Sequence, residues 1–394
     1  MKTNNLYCLL LICLSFLSCR KEYQDFETVS YQINIQYPDN YSSSQVEGAT
    51  IELKNMVTGA SYSYVSDASG NVICEDILPG VYTMTASRTL SEDESEELTG
   101  TRAEAYLNAN ATSIKITESG QTTLKLKGGT IGGFVIKEFY YAGVPSAYFY
   151  DSYIEVYNNS TDTLYADSIS VGNTKTNSPT GSVYGFLSTS DDVYLQHVFM
   201  VPGSGNDYPV APGESFIIAV DGINHRSDPL GNPNSPVNLG AGIADFETYY
   251  SYSSRDADAA DVPNMLHLYA ASTAGFDWLL GVMGTGIVIF KHSDPASLPT
   301  AVEPGVSSTT RYIQIPATSI IDGVDCVANN TVTLDKKRLP QAIDAGTTSV
   351  GATYNGKSVR RKIKTEIEGR KILMDTNNSS QDFEINDNPN PKGW

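Results

Sequence analysis

The amino-acid sequence predicts an all-β protein built of two β-sandwiches, a smaller one followed by a larger one with long loop insertions. Three observations lead to this class. The chain has 394 residues, which is longer than most single domains. It contains 25 Tyr, 32 Gly and 18 Pro. Its apolar residues occur in short alternating runs separated by turn residues, which is typical of many short strands.

The smaller sandwich is predicted over residues 31–127. Apolar residues alternate from Tyr31 through Ile33 and Ile35, as in a half-buried strand. Turn residues such as Asp67 and Gly70 then separate further short runs. The predicted strands of this region cover residues 31–37, 48–53, 61–65, 71–74 and 78–86.

Five carboxylates lie close together between two strands of this domain, at Glu92, Asp93, Glu94, Glu96 and Glu97. The run lacks the alternating ligands and the glycine turn of a calcium loop. Because like charges repel one another, we expect a solvated, extended loop here.

The larger sandwich is predicted over residues 131–394, after a glycine-rich boundary at residues 128–133. Residues 222–285 and 293–311 form insertions that make this region roughly twice the usual length of such a sandwich. The predicted strands cover residues 134–141, 153–159, 169–171, 193–198, 215–220, 286–290, 312–315 and 320–326.

The N-terminus has the pattern of a lipoprotein signal peptide. Lys2 gives a positive start, residues 6–14 form a short apolar run, and Ser18 precedes Cys19. The run is too short to span a bilayer as a mature helix. We therefore expect residues 1–18 to be removed and Cys19 to carry the lipid; an ordinary secretory signal with a chance cysteine is the alternative.

We expect residues 19–30 to form a polar tether between the lipid and the first sandwich. Residues 20–25 form a short charged stretch that resembles the export signals that send lipoproteins of the Bacteroidetes type to the cell surface. The acyl chains on Cys19 would anchor the protein stably, since each buried CH₂ contributes about 0.8 kcal/mol. The predicted location is the outer membrane, on its cell-surface side.

The formal net charge of −19 restricts the partners of the protein. A negative field repels nucleic acid, so we expect no nucleic-acid binding. The same field favours cationic ligands and metal ions, although a solvated acidic surface also keeps an exported protein soluble.

Two family resemblances give the sandwiches more specific expectations. Residues 30–127 resemble prealbumin-like or carboxypeptidase-regulatory-like domains through a strand, an Asp-x-x-Gly turn and a Pro-Gly-x-Tyr strand. The second region resembles the lamin-tail domain, an immunoglobulin-like β-sandwich, and the segments that carry this likeness are residues 136–139, 153–160, 212–216, 321–324, 360–361 and 375–383. Together with the signal, these features resemble an uncharacterised Bacteroidetes lipoprotein family, domain of unknown function 4876.

Residues of the first insertion offer the most suggestive metal ligands. Asp256, Asp258 and Asp261 are spaced so that a curled loop could bring them to one Ca²⁺ ion, which prefers hard oxygen ligands. Ala260 and a missing glycine break the EF-hand pattern, and a merely solvated acidic loop is the alternative.

Tyrosines of the same insertion are candidates for ligand or partner contact, because tyrosine combines a rigid ring with a polar tip. These are Tyr249, Tyr250 and Tyr252. Thr163 and Ser168 lie in short sequences that resemble O-glycan acceptors of the Bacteroidetes.

The thiols of Cys74 and Cys326 have apolar neighbours, so we expect two buried free cysteines, with an interdomain disulfide as the alternative.

Common catalytic signatures are missing from the chain. The four histidines are far apart, and there is no His-Glu-x-x-His pair, Gly-x-Ser-x-Gly elbow or phosphate loop. We therefore favour a non-enzymatic binding or docking module, which could serve an outer-membrane transporter in the capture of nutrients or metals. The alternatives are a cell-surface hydrolase with its site in residues 222–285, and an adhesin or structural surface component.

Overall fold

The computed structural model describes residues 27–39, 41–100, 104–130, 133–178, 180–240, 242–272 and 275–394. Cys19 and the predicted signal peptide lie outside the described residues. Strands dominate the described chain, and the predicted all-β class is confirmed. None of the helices found in these ranges is both long enough and apolar enough to cross a membrane.

The N-terminal part forms two sheets that pack face to face. A three-stranded sheet has the order β4-β1-β7, and a five-stranded antiparallel sheet has the order β3-β2-β5-β6-β8. The strands are β1 (Val29–Gln36), β2 (Thr50–Asn55), β3 (Ser61–Val65), β4 (Asn71–Ile77), β5 (Gly80–Leu90), β6 (Ala105–Ile116), β7 (Gly120–Lys125) and β8 (Lys127–Thr130).

Strand β1 shows why the alternating pattern folds in this way. Ile33 and Ile35 are buried in the core, which also contains the free thiol of Cys74. Gln32 and Asn34 point to the other face, where both side-chain amides donate hydrogen bonds to Asn71. One face of the strand is thus apolar and the other polar, as the sequence predicts.

The acidic run is a helix, α1 (Glu92–Thr99), and the prediction of an extended loop was wrong. Ser91 caps the helix by accepting a hydrogen bond from the backbone of Glu94, and the Glu94 carboxylate accepts one from the backbone of Ser91. This capping box, together with carboxylates at the positive end of the helix dipole, outweighs the repulsion between the charges.

The glycine-rich stretch that was predicted as a boundary is partly a strand. Backbone pairing in β8 places Gly128 opposite Leu107 of β6. The chain therefore leaves the first sandwich from a sheet edge, close to the start of the next strand.

The C-terminal part contains two large sheets and three small ones. A six-stranded sheet has the order β17-β16-β10-β9-β23-β26, and a five-stranded sheet has the order β18-β14-β12-β19-β22. The strands are β9 (Phe134–Tyr140), β10 (Tyr153–Asn158), β11 (Leu164–Tyr165), β12 (Ser170–Asn173), β13 (Val193–Leu195), β14 (His197–Met200), β15 (Pro209–Val210), β16 (Ser215–Ala219), β17 (Phe246–Glu247), β18 (Leu266–Ala270), β19 (Gly286–Phe290), β20 (Thr300–Val302), β21 (Arg311–Ile315), β22 (Ile320–Asp325), β23 (Ser358–Arg361), β24 (Ile363–Ile367), β25 (Arg370–Leu373) and β26 (Phe383–Asn386).

The small sheets pair β11 with β15, β13 with β21 and β20, and β24 with β25. Short helical turns occupy Gly185–Ser188, Pro295–Ser297, Ala317–Ser319 and Leu334–Lys336, and a second helix, α2 (Ser379–Asp382), precedes β26. The predicted strand over residues 193–198 is thus two strands, β13 and β14, in different sheets.

The main core lies between the two large sheets. Phe139 and Ile154 from one sheet and Ile287 and Val324 from the other belong to this cluster, as does the free thiol of Cys326. Cys74 and Cys326 are both buried and free, as the sequence predicts.

The first insertion covers the outer face of the six-stranded sheet. Val237, Leu239 and Val262 of the insertion pack against Tyr140 and Tyr153 of the sheet. At the other end of the same face, Trp394 lies over Lys137, and Leu373 packs against Val135 and Tyr157. Together these contacts bury every residue of β9 and β10. The insertion is a packed layer, so the sheet has no free surface in this region.

Arg361 joins four of the six segments that carry the lamin-tail likeness. Its guanidinium lies 2.5 Å from Asp322, 3.2 Å from Asp375 and 3.4 Å from Asp382, and its Nε donates to the Ile136 carbonyl at 2.9 Å. The arginine side chain is only 1% exposed. One cation therefore ties β9, β22, β23 and the chain before β26 together.

Asp151 fastens the insertion to the start of β10. Its Oδ2 accepts hydrogen bonds from the Ser235 hydroxyl at 2.7 Å and the Tyr140 hydroxyl at 3.2 Å. Burial raises the pKa of this carboxyl to about 6, although both hydrogen bonds oppose the shift. Its Oδ1 has no hydrogen-bond partner in the described chain, which suits a carboxyl group that carries a proton.

The two parts of the chain are in contact. The Asn108 side chain donates to the Thr376 carbonyl, and Lys364 lies 2.6 Å from Glu104. Beside these contacts is a cleft of about 800 Å³, lined by Met56 and Thr83 of the first part and by Val183, Leu187, Val332, Thr333, Leu334, Asp335, Lys337, Leu339, Pro340 and Gln341 of the second.

Replacing Arg361 with Met should destabilise the protein by about 3–5 kcal/mol, because the change leaves buried carboxylates without their cation. The measurement is the free energy of unfolding in urea. Lys125→Met is the matched control, since Lys125 forms an exposed ion pair with Asp39 at 2.6 Å and should cost less than about 1 kcal/mol. Equal losses in the two variants would contradict the role given to Arg361.

Replacing Asp151 with Asn should have a more favourable effect on the free energy of unfolding at neutral pH than at acidic pH. The pKa of this carboxyl is 3.8 in the unfolded chain and about 6 in the folded protein, so between these pH values the folded state binds the proton more tightly. The carboxyl therefore contributes its full stability in acid, and this contribution is lost as the pH rises through about 6. The difference in unfolding free energy between variant and parent should move in favour of the variant by about 2–3 kcal/mol between pH 4 and pH 7. A difference that does not change with pH would refute the assignment.

Candidate metal centre and aromatic surface

Three aspartates from distant parts of the chain meet at the edge of the six-stranded sheet. Asp221 follows the end of β16, Asp256 lies in the first insertion, and Asp277 lies between β18 and β19. One carboxylate oxygen from each lies within 4.8 Å of the other two. The fold thus builds a compact cluster of negative groups that are far apart in sequence.

The cluster is buried and its polar atoms are poorly satisfied. The exposed fractions are 5% for Asp221, 8% for Asp256 and 3% for Asp277. Asp221 Oδ1, Asp256 Oδ1 and both oxygens of Asp277 have no hydrogen-bond partner in the described ranges. Buried polar groups without partners are rare in folded proteins, because each costs about 1–3 kcal/mol.

Burial and mutual repulsion make these carboxylates hard to ionise. Burial raises the pKa of Asp277 to about 8, and the charge of Asp256 adds to the shift. Burial raises the pKa of Asp256 to about 6. The pKa of Asp221 is raised well above its usual range by burial and by the charges of Asp277 and Asp256. A cation at the centre of the cluster would reverse this effect.

Hydrogen bonds hold the backbone around the cluster in place. Asp256 Oδ2 accepts from the backbone of Tyr250 at 2.7 Å. Glu247 accepts from the backbone of Gly222 at 2.7 Å and of Ala259 at 2.8 Å, so it links β17 to both loops. The cluster therefore sits on a rigid frame.

His225 braces the loop on its other side. Its Nε2 pairs with the Asp221 carbonyl at 3.0 Å, and its Nδ1 pairs with the Tyr148 hydroxyl at 2.6 Å. Burial lowers the pKa of this histidine to about 4, so the ring is neutral and donates from Nε2 to the carbonyl. Both ring nitrogens are thus already in use.

The predicted metal ligands are only partly brought together. Asp256 is in the cluster, whereas Asp258 and Asp261 are exposed. Asp258 accepts a hydrogen bond from the Asn264 side chain at 3.0 Å. The chain turns away after Asp256 because Ala257 and Val262 are buried, and this turn leaves the other two carboxylates in solvent.

The predicted contact tyrosines have three different environments. Tyr249 is half-buried and Tyr250 is 1% exposed, whereas Tyr252 is 55% exposed. The rings of Tyr250 and Tyr252 stack at 5.1 Å between centroids. Tyr250 is therefore a core side chain that supports Tyr252, and of the three only Tyr252 offers a large free surface.

A row of half-buried aromatic rings lies beside this region, and we call it the aromatic row. It consists of Tyr354, Phe149, Tyr150 and Phe276. Neighbouring centroids are 6.4 Å, 5.3 Å and 6.5 Å apart, and the Arg255 guanidinium lies 3.4 Å from the Phe276 ring. Each ring is fixed on one side and partly open to solvent.

The two predicted glycan acceptors lie on either side of β11. Thr163 is exposed and Ser168 is half-buried with a positive φ of 62°. Both stay predictions.

Sequence reasoning missed Asp221, Asp277 and the aromatic row. Asp221 follows a buried strand directly, which is a weak signal for a site, and Asp277 has no acidic neighbour in sequence. Phe149 and Tyr354 come from loops about two hundred residues apart, so only the tertiary structure joins them.

Comparison with solved structures gives a likeness that extends over most of the molecule. It is a DUF4876 family protein from Bacteroides thetaiotaomicron VPI-5482, with 28% identity, 92% of this chain and 96% of that chain covered, and a TM-score of 0.59.

A second structure from the same strain is described as "putative polysaccharide binding proteins (DUF1812)". It has 14% identity and a TM-score of 0.17, and it covers 38% of this chain and 58% of that chain. A DUF3823 family protein from Bacteroides uniformis ATCC 8492 has 9% identity and a TM-score of 0.17, with 73% and 96% covered. Scores this low carry no functional argument.

Comparison with curated proteins gives no match. The sequence model of the family described as "Protein of unknown function (DUF4876)" matches residues 211–390, which include Asp221, Asp256, Asp277 and Arg361. The resemblance to the DUF4876 family that the sequence predicts is thus confirmed, and this chain carries the DUF4876 pattern over residues 211–390.

Proposed function

We propose that the protein is a lipid-anchored protein of the outer cell surface that binds a neutral glycan through the aromatic row. The observation that carries the proposal is the row itself, in which Tyr354, Phe149, Tyr150 and Phe276 are held by packing and remain partly open. Rigid aromatic rings stack on the apolar faces of sugar rings at low entropic cost, and tyrosine hydroxyls add hydrogen bonds.

The charge of the protein supports a neutral ligand. A formal net charge of −19 disfavours anionic polysaccharides and nucleic acid. Arg255 lies over Phe276 at one end of the row and supplies donors that hydroxyl groups can accept. A neutral, hydroxyl-rich ligand therefore matches the surface best.

The hydrolase alternative is weaker. Carboxylates with separated pKa values do lie near the first insertion, which is a pattern found in acid-base catalysis. The exposed fractions of Asp221, Asp256 and Asp277 are all below 9%, so a substrate bond could reach them only if the loops opened. A binding protein requires no such movement.

The location belongs to the same proposal and rests on the sequence. Lipidation of Cys19 and the tether over residues 19–30 would hold the sandwiches outside the membrane, where an outer-membrane transporter could receive the ligand. An adhesin would share this location, but it would keep its ligand at the surface.

Replacing Cys19 with Ala should move the protein from the membrane fraction to the soluble fraction, because the acyl chains can no longer be attached. Fractionation, protease treatment of intact cells and mass spectrometry of the N-terminus measure this. The parent should be digested on intact cells and should co-purify with an outer-membrane barrel. An unmodified, membrane-bound C19A protein would refute the anchor, and protection of the parent from protease would refute the surface location.

Phe276→Ala and Tyr150→Ala should each weaken glycan binding at least about tenfold, which corresponds to about 1.4 kcal/mol, because each removes one stacking ring. The measurement is isothermal titration with the polysaccharide that raises the melting temperature most in a panel of neutral glycans. Tyr165→Ala is the matched control, since Tyr165 is 40% exposed and lies outside the row. Unchanged binding in all three variants, or no binding to any glycan, would contradict the proposal.

A further inference from the structure

We propose that Asp221, Asp256 and Asp277 together bind one Ca²⁺ ion. This site goes beyond glycan binding and does not depend on it. Its ligand set differs from the one that the sequence suggests, because it shares only Asp256 with the run that contains Asp258 and Asp261.

The spacing of the oxygens fits a calcium ion. One oxygen from each aspartate lies within 4.8 Å of the other two. Calcium binds oxygen at about 2.3–2.6 Å, so two ligands on opposite sides of the ion lie about 5 Å apart. The three oxygens can therefore contact one ion without a large movement of the backbone.

The unsatisfied atoms point independently to a missing positive group. Only 3% of the Asp277 surface is exposed, and neither of its carboxylate oxygens has a hydrogen-bond partner in the described chain. Asp221 and Asp256 each leave one further buried oxygen unpaired. Buried charges are normally paired or bound to metals, and a divalent cation would satisfy all four atoms at once.

Among the residues that the structure describes, no Lys, Arg or His side chain forms an ion pair with the three carboxylates. Arg255 is the cation whose charge acts on Asp277, but its guanidinium lies on the Phe276 ring, and no ion pair links it to the three carboxylates. The negative charge of the cluster is therefore not balanced by a neighbouring side chain.

The chemistry of the ligands selects a hard metal. All three side chains offer carboxylate oxygen, which suits Ca²⁺ and Mg²⁺ better than zinc or copper. The neighbouring His225 cannot add a nitrogen ligand, since both of its ring nitrogens are hydrogen-bonded. Ca²⁺ tolerates irregular geometry and takes six to eight oxygens, whereas Mg²⁺ demands a near-perfect octahedron.

Further oxygens are available to complete the coordination. The Tyr250 hydroxyl is buried and has no hydrogen-bond partner in the described ranges. The backbone of the same residue donates to Asp256 Oδ2 at 2.7 Å, so Tyr250 belongs to the frame of the cluster. Water molecules would supply the rest, as they commonly do in calcium sites.

The three ligands place the ion at a structural junction. Asp221 follows the end of strand β16, Asp256 lies in the insertion that packs on the sheet, and Asp277 adjoins the aromatic row at Phe276. Calcium would cross-link these segments, so we expect it to stabilise the insertion against unfolding.

The test uses the purified full-length protein after removal of metals with a chelator. Calcium should raise the melting temperature and bind with a stoichiometry of one in isothermal titration. Terbium(III), which substitutes for calcium, should emit light when Trp278 is excited, because Trp278 is adjacent to Asp277 and 1% exposed. Magnesium at the same concentration should produce a smaller shift.

Two pairs of variants separate the proposed site from its neighbours. Asp277→Asn and Asp221→Asn should each abolish the calcium shift and the terbium signal. Asp258→Asn and Asp261→Asn, which change exposed carboxylates in the same loop, should leave both signals unchanged. Near-ultraviolet circular dichroism without metal shows whether each variant is folded.

The outcomes are decisive in both directions. Loss of binding in folded D277N or D221N, with retention in D258N and D261N, supports the site. Full binding in D277N and D221N, or loss of binding in D258N and D261N alone, overturns it. Absence of any calcium or terbium signal in the parent protein also overturns it, whatever the variants do.

Discussion

The larger sandwich depends on one buried cation. Arg361 reaches three carboxylates and two backbone carbonyls, and these partners lie in β9, in β22 and in the segment between β25 and β26. Asp322 in turn accepts a hydrogen bond from the backbone of Ile136 at 2.6 Å, so the network joins the six-stranded sheet to the five-stranded sheet. A buried charge without its partner would destabilise the folded state. The strands around Arg361 therefore keep the register that holds the guanidinium against its carboxylates.

The same region shows how the family likeness and the physics agree. The segments that resemble a lamin tail contain Arg361, Asp322, Asp375 and Asp382, which meet in this network. Gly323 belongs to the motif because a Cβ atom there would lie 2.8 Å from the Ile343 side chain. The motif thus reflects requirements of packing and charge pairing.

Much of the fold could be predicted from the sequence, because alternation of apolar residues is a local property. The strand at Gly286–Phe290 was predicted with its observed bounds, and β1 follows its predicted pattern. The helix α1 was missed since charge repulsion was weighed without the capping box of Ser91 and Glu94. The aspartate cluster and the aromatic row could not be predicted, because loop closure decides which distant side chains meet, and spacing along the chain does not.

The layer formed by the first insertion has a consequence for how such proteins can diversify. Because Val237, Leu239 and Val262 cover the sheet at Tyr140 and Tyr153, the strands offer no free side chains for recognition at that place. The loops that bring Tyr354, Phe149 and Phe276 together keep partly exposed side chains, so a change there disturbs the core least. Relatives could therefore exchange specificity by replacing loops while keeping an unchanged and stable scaffold.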